Sequence, residues 1–509
     1  MTHPSINLET LSIASISEGL ASGSFTAEDL ALASLEQVKK LNGTYNAIIL
    51  ENPEALETAR EIDKRRAAGE ALGPLAGVPV VVKDPMDMKG FPTTAGWHLL
   101  YSKTGGVDLM PETDSPVVAR MRAADAVILG KTNVPVLSHT GSHANDSWAG
   151  PTINVVMEDR LPGGSSAGTA SAVACNMCVV GLAEETGGSI QNPASAHDLV
   201  GIKPTMGLVP NAGVVPLSGN RDVVGPIART VADAASCLDV LAGWSAEDPK
   251  TLASVGKIPA GGFGSKMSTG ALSGKRLGLY GPGWRPDTLS DEAIALYKRA
   301  QAELSDAGAI LIEDPFAGTG FADLREVTPP TPHFDGRGLE SIAWDVDCYL
   351  KRLGPSAAIK SWSEFVEVVK SEDPFSPGGV LSFMPSLPDF RTAMENPTAP
   401  PELPEFIALK AAYLGLLSEV FDKHSLDGLV FPQMQYELPG LHSGEPLMET
   451  TVGELNIAGI PAVTVPAGYY ASGSPFELIF LGLQWSETEL IGMAYAYEQA
   501  TLHRKPAVE

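Results

Sequence analysis

Apolar positions along the chain fall into two recurring patterns. Short continuous apolar runs of strand length occur at residues 78–82, 126–129, 179–183, 276–280, 429–431 and 462–465. Between them, apolar residues return every three or four positions, the period of one helix face. Thr26 opens one such stretch as an N-cap, with Glu28 and Asp29 in the first turn and Leu35, Val38 and Leu41 on one face. Further helices are expected at about 54–68, 115–123 and 290–307; in the last, Ser290 caps and Asp291 and Glu292 follow. Continuous apolar runs suit strands buried on both sides. Their alternation with helices predicts an α/β fold, a central mixed sheet flanked by helices on both faces.

From about 314 to 403 this pattern breaks. Pro329, Pro330 and Pro332 lie within residues 328–332, and Pro385, Pro388, Pro397, Pro400 and Pro401 follow. The stretch reads as an irregular insertion on the substrate side, with one helix near 362–370. No internal repeat is visible.

Composition narrows the classes. With 44% hydrophobic residues, a large core forms and wholesale disorder is excluded. Lys and Arg number 35 against 61 Asp and Glu, a net charge of −26. Such a surface repels phosphate backbones and anionic bilayers, so neither nucleic acid nor membrane is an expected partner. The 4 cysteines are no disulfide scaffold. Cys175 and Cys178 form a C-x-x-C, but apolar residues flank it and no second pair follows. They read as core thiols, and no metal is expected. The N-terminus shows neither a basic region nor an apolar one of a secretory signal, so a cytoplasmic protein is expected.

Chemistry concentrates in residues 162–204. Gly163-Gly164-Ser165-Ser166-Ala167-Gly168 leads into a helix of small residues, then a strand, then Thr186-Gly187-Gly188-Ser189. Successive N–H groups in a Gly-Gly-Ser turn can converge on one point, as an oxyanion hole requires. A serine at the end of that turn sits beside those donors, where a nucleophile belongs. Alone, a Gly/Ser turn is usually only a turn. Such a serine also needs a base, and none of the 9 histidines lies in an evident motif. A lysine kept neutral by burial is the alternative, and Lys83 ends the apolar run that begins at Gly77.

Taken together these segments resemble the amidase signature family of serine hydrolases, over about 28–506. The resemblance rests on GVPVVVKD at 77–84, Asp114-Ser115-Pro116, Gly130-Lys131-Thr132-Asn133, GGSSAG and EETGGSIQNPAS. Gly201-Ile202-Lys203-Pro204-Thr205 and Gly225-Pro226-Ile227-Ala228-Arg229 resemble turns typical of the family. Asn456 to Pro461 and Ala494 to Glu498 resemble its C-terminal pattern.

The resemblance implies one large domain over 1–509: an N-terminal helical region (1–70), a catalytic core (71–245), the insertion (314–403) and a C-terminal part of the core (404–509). It implies a Ser–cis-Ser–Lys triad with Ser189 as nucleophile, Ser165 as bridging serine and Lys83 as base. The two serines stand 24 residues apart, as in the family. The backbone N–H groups of Thr186, Gly187, Gly188 and Ser189 would form the oxyanion hole, with Ser166 a hydroxyl beside it. No cofactor is implied.

Four positions depart from the family. Glu185 stands where it has Asp, Gln191 where Arg is common, Ala167 where Gly is usual, and Val136 where an acid is frequent. Glu185 and Gln191 adjoin the site. Asn145, Trp148 and Tyr436 follow core strands and are candidate substrate contacts. The implied activity is hydrolysis of a carbon–nitrogen bond other than a peptide bond, in a small or medium uncharged amide, anilide or carbamate. It covers aryl acylamidase and urethanase chemistry. Two alternatives are carried: the glutamine-hydrolysing subunit of a tRNA-dependent amidotransferase, and a non-catalytic binding protein that keeps the fold. Homodimerisation stays open.

Overall fold

The computed structural model describes residues 6–325 and 335–508. Its centre is an 11-stranded mixed sheet. The strands are β1 (Ile48–Glu51), β2 (Pro79–Lys83), β3 (Val127–Thr132), β4 (Val180–Glu185), β5 (Val200–Lys203), β6 (Val223–Ala228), β7 (Arg276–Leu279), β8 (Ile310–Ile312), β9 (Gly428–Pro432), β10 (Ala462–Tyr469) and β11 (Pro475–Leu481). Their order across the sheet is β1-β3-β2-β4-β6-β5-β10-β11-β9-β7-β8. β2 runs parallel to β3 and β4, and β7 runs parallel to β8 and β9. The other neighbours are antiparallel.

Every residue of β2, β3, β4, β5, β6, β9 and β11 is buried. Successive side chains of a strand point to opposite faces, so both faces of the sheet's middle are covered. All six apolar runs of the sequence are strands here.

The capping chemistry decides where helices begin. Thr26 Oγ1 accepts from Asp29 N at 3.0 Å, while Asp29 Oδ2 accepts from Thr26 N at 2.9 Å, a reciprocal box that starts the helix Ala27–Tyr45. Ser290 Oγ accepts from Ala293 N at 3.2 Å and opens Asp291–Asp306. Helices Ala55–Ala67 and Pro116–Ala123 also lie where the periodicity puts them.

The two motifs at 201–205 and 225–229 are not turns. They lie largely in β5 and β6, in the middle of the sheet. Gly225 suits a strand here because a Cβ on it would stand 2.1 Å from the Ile202 carbonyl oxygen. β5 pairs β6 only at Val200↔Ala228 and Gly201↔Ile227, so pairing on that side stops before Pro226, which has no N–H to give.

The insertion is more ordered than its prolines suggest. Residues 335–403 carry the helices Ile342–Arg352, Trp362–Val369 and Phe390–Glu395. Ile342, Leu350, Trp362 and Phe365 bury themselves against Trp97 and Leu100 in an apolar cluster separate from the sheet's core. Residues 328–332, the densest prolines, lie outside the described residues. Cys175 and Cys178 are buried and unpaired, and burial pushes the Cys178 thiol up to about 12. Among the described residues no helix is long and apolar enough to cross a membrane.

Candidate active site

β2 ends at Lys83 in the middle of the protein, with none of the residue exposed. An ammonium there has lost its water, so it needs close acceptors or must give up its proton. Lys83 Nζ has three near partners. Ser165 Oγ lies at 2.7 Å, the Glu184 carbonyl oxygen at 3.0 Å and Glu184 Oε2 at 2.6 Å. Desolvation pulls the Lys83 amine below the usual lysine range, opposed by Glu184 first and then by Asp222 and Glu185.

Ser165 follows a cis peptide bond after Gly164. The loop after β3 presses on that turn: a Cβ at Gly164 would stand 2.8 Å from the carbonyl oxygens of both Thr140 and His143. Only a residue without a side chain fits. Ser166 precedes the helix Ala167–Ala174, and its Oγ donates to the Glu184 carbonyl oxygen at 3.3 Å.

The second serine turn leaves the end of β4. Gly188 has φ +86°, and a Cβ on it would meet Asn192 Nδ2 at 2.7 Å. Among the described residues, the N–H groups of Thr186, Gly187, Gly188 and Ser189 donate to no acceptor in the chain. Buried N–H groups are seldom left unpaired, so four in succession without an acceptor, on a turn where only Gly187 is half-buried, are free to receive one. Ser189 is 4% exposed. The Gly164 and Gly187 carbonyl oxygens lie 3.8 and 3.6 Å from the point where a Gly141 Cβ would be, so the two serine turns meet at Gly141.

Glu185 holds the turn at Ser189 closed. Its carboxylate accepts from Ile190 N at 2.7 Å, Gln191 N at 3.2 Å, Asn456 Nδ2 at 3.0 Å and the Gln191 side-chain amide. The two departures from the family pattern are therefore partners of each other. Glu185→Ala would leave these buried donors unpaired, at about 1–3 kcal/mol for each group not rehydrated. A clearly lowered thermal midpoint is expected, and an unchanged one would refute this anchoring.

Of the three candidate substrate contacts, Asn145 and Trp148 lie on the loop whose residues 140–143 reach the serine turns, and Tyr436 follows β9. Asn145 is exposed, its N–H bonded to His143 Nδ1 at 3.2 Å. Trp148 packs near Tyr101, 4.5 Å between ring centroids, and its indole donates to Thr94 at 2.8 Å. Tyr436 lines an outer cleft with Arg160, Ser290 and Glu437. Thr140, Gly141 and His143 are the loop residues that reach the serine turns. Sequence reasoning also missed Glu184 and Asp222. The signal for Glu184 was an acid inside a fully buried strand.

Comparison with known proteins agrees with this architecture. The Amidase family model matches residues 29–317. A probable amidase of Arabidopsis thaliana is 31% identical over 94% of this chain and 88% of its own. A glutamyl-tRNA(Gln) amidotransferase chain of Synechococcus sp. (strain CC9605) is 30% identical over 96% of each chain. Among solved structures, native peptide amidase from Stenotrophomonas maltophilia superposes with TM-score 0.79, at 30% identity over 98% of each chain. A bacterial aryl acylamidase, at 24% identity and TM-score 0.70 over 96% of each chain, shares the fold. The fold and these relatives define a hydrolase of carbon–nitrogen bonds. The chain belongs to the amidase family, the group that carries the amidase signature.

Proposed function

We propose that the protein is a serine amidase that cleaves small or medium uncharged amides, including anilides and amidated peptides, or carbamates, through an acyl-enzyme on Ser189. The observation that carries this is the buried Lys83 amine, 2.7 Å from the Ser165 hydroxyl, together with a turn whose four N–H groups have no acceptor among the described residues. In acylation Ser189 Oγ gives its proton to Ser165, and Ser165 passes its own to the lone pair of Lys83 Nζ. Ser189 Oγ bonds the carbonyl carbon, and the carbonyl π electrons move to oxygen, where the four N–H groups receive the charge. The proton returns through Ser165 to the leaving nitrogen, the C–N bond breaks and amine departs. Water repeats the relay to release the acid. The Ser189 hydroxyl has no bond within the described chain, as suits a resting nucleophile whose contacts tighten on substrate.

The test is parallel turnover of an anilide, a peptide amide and an alkyl carbamate. Release from one or more of them supports the reading, and no turnover of any refutes it.

Lys83 must be neutral to act, so kcat/KM should fall as pH drops through its lowered pKa. A flat profile from acid to alkaline pH would remove it as base. The amidotransferase relatives favour a second reading, a glutamine-hydrolysing subunit that works with partner chains. Glutaminase activity and copurifying partners would select it.

A further inference from the structure

We propose that Glu184 is a positioning residue that directs the lone pair of Lys83 at Ser165 and sets the pH at which the amine becomes a base. The inference rests on the serine amidase reading above. The hydrogens around Nζ carry it. A neutral lysine amine has two N–H donors and one lone pair. Its three near partners are the Ser165 hydroxyl and two oxygens of a single residue, the Glu184 carbonyl and carboxylate. With Glu184 ionised, both of its oxygens can only accept. They take both N–H groups, and the lone pair is left facing Ser165 Oγ, the one partner able to give a proton. Without the carboxylate, one N–H could turn toward Ser165 and the lone pair away from it.

The same carboxylate stabilises the ammonium that forms when the proton arrives. Glu184 is 1% exposed and Lys83 is fully buried, so water screens their attraction little. On the paired strand side, Asp84 follows Lys83 and pairs with the buried Lys131 at 3.6 Å. On the strand of Glu184 itself is Glu185, bound to the nucleophile turn. Asp222, just before β6, reaches it through Thr186, whose hydroxyl lies 2.5 Å from Asp222 Oδ1 and 3.3 Å from Glu184 Oε1. Arg221 beside Asp222 donates to the Asp335 and Arg337 carbonyl oxygens. The loop before Ala167–Ala174 offers only the hydroxyls of Ser165 and Ser166, and that helix has no titratable residue. On the packed helix Val231–Leu241, Asp233 accepts from Ile13 N and Asp239 from Phe263 N. Burial and the Glu184 charge push Asp222 up to about 8. Glu184 Oε2, 2.6 Å from Nζ, is the side-chain carboxyl oxygen in contact with the amine.

The sign of the effect follows. A negative charge beside the amine raises its pKa against the lowering by burial. Glu184→Gln keeps an accepting oxygen and removes the charge, so the amine titrates lower. The acid limb of kcat/KM should move to lower pH by one unit or more. The alkaline plateau should fall, because a weaker base drives proton transfer less. Glu184→Asp, which restores the charge, should bring the limb back toward the wild-type position.

The experiment measures kcat/KM against pH for the wild type, Glu184→Gln, Glu184→Asp and Ser189→Ala. A limb that stays in place in Glu184→Gln overturns the inference, provided Ser189→Ala is inactive. An active Ser189→Ala overturns the serine amidase reading itself. Infrared difference spectra of the wild type across its limb need no variant. A carboxylate band that persists through the limb supports the inference. A carboxylic acid band that appears with the midpoint of the limb overturns it.

Discussion

Ser189→Ala is expected to lower kcat by about 10^4 to 10^6 while leaving the fold unchanged. The substitution removes one oxygen that has no hydrogen-bond partner among the described residues, so no buried group is left stranded. The side chain shrinks without changing the backbone that forms the oxyanion cradle. The binding surface and the N–H groups persist, which is why residual rate above the uncatalysed reaction is expected. The measurement is single-substrate kinetics with circular dichroism on the same preparation. Labelling by a fluorophosphonate should vanish in parallel. A variant within tenfold of the wild-type rate would sink the assignment of the nucleophile.

Lys83→Met has two expected consequences, and they separate chemistry from stability. Methionine fills much of the lysine volume but offers neither lone pair nor donor. Loss of the base should cost about 10^2 to 10^4 in kcat/KM. The Glu184 carboxyl then loses the donor it accepts from, in a site closed to water. Leaving such a buried acceptor unpaired costs about 1–3 kcal/mol, and more for a charged group. The midpoint of thermal unfolding should therefore fall. Adding Glu184→Leu to Lys83→Met removes the stranded charge and should recover most of that stability while the rate stays low. If the single variant unfolds at the wild-type temperature, the two groups are not a coupled pair. If the double variant regains activity, Lys83 is not the base.

The same residues show what was legible in the sequence. β2 is a continuous apolar run that ends on a lysine, and a charge at the end of a buried strand already calls for an explanation. The Gly-Gly-Ser turns, and the helices begun by Thr26, Ser115 and Ser290, are written in a few consecutive residues each. Their causes are local: small side chains permit tight turns, hydroxyls cap nearby N–H groups, and an apolar period selects helix or strand. The sequence also shows Glu185 and Gln191 as departures, though not that one binds the other.

What the sequence by itself determined was thus the α/β class, most of the sheet's strands, and the order of the segments that carry chemistry. Local rules failed for β5 and β6, where Gly201, Gly225 and Pro226 look like turn residues. At Gly225 the Ile202 carbonyl oxygen of the neighbouring strand, and at Gly201 the Ala194 Cβ of the helix packed on it, leave no room for a side chain. They failed for the insertion, whose helices are secured by Trp97 and Leu100 from a distant part of the chain. They failed above all for Glu184. Lys83 and Glu184 stand 101 residues apart, and nothing near either names the other. Only the parallel pairing of β2 with β4, with Val82 opposite Leu182, brings the amine against that carboxylate. Contacts of that kind belong to sheet register, which is settled by the packing of the whole core.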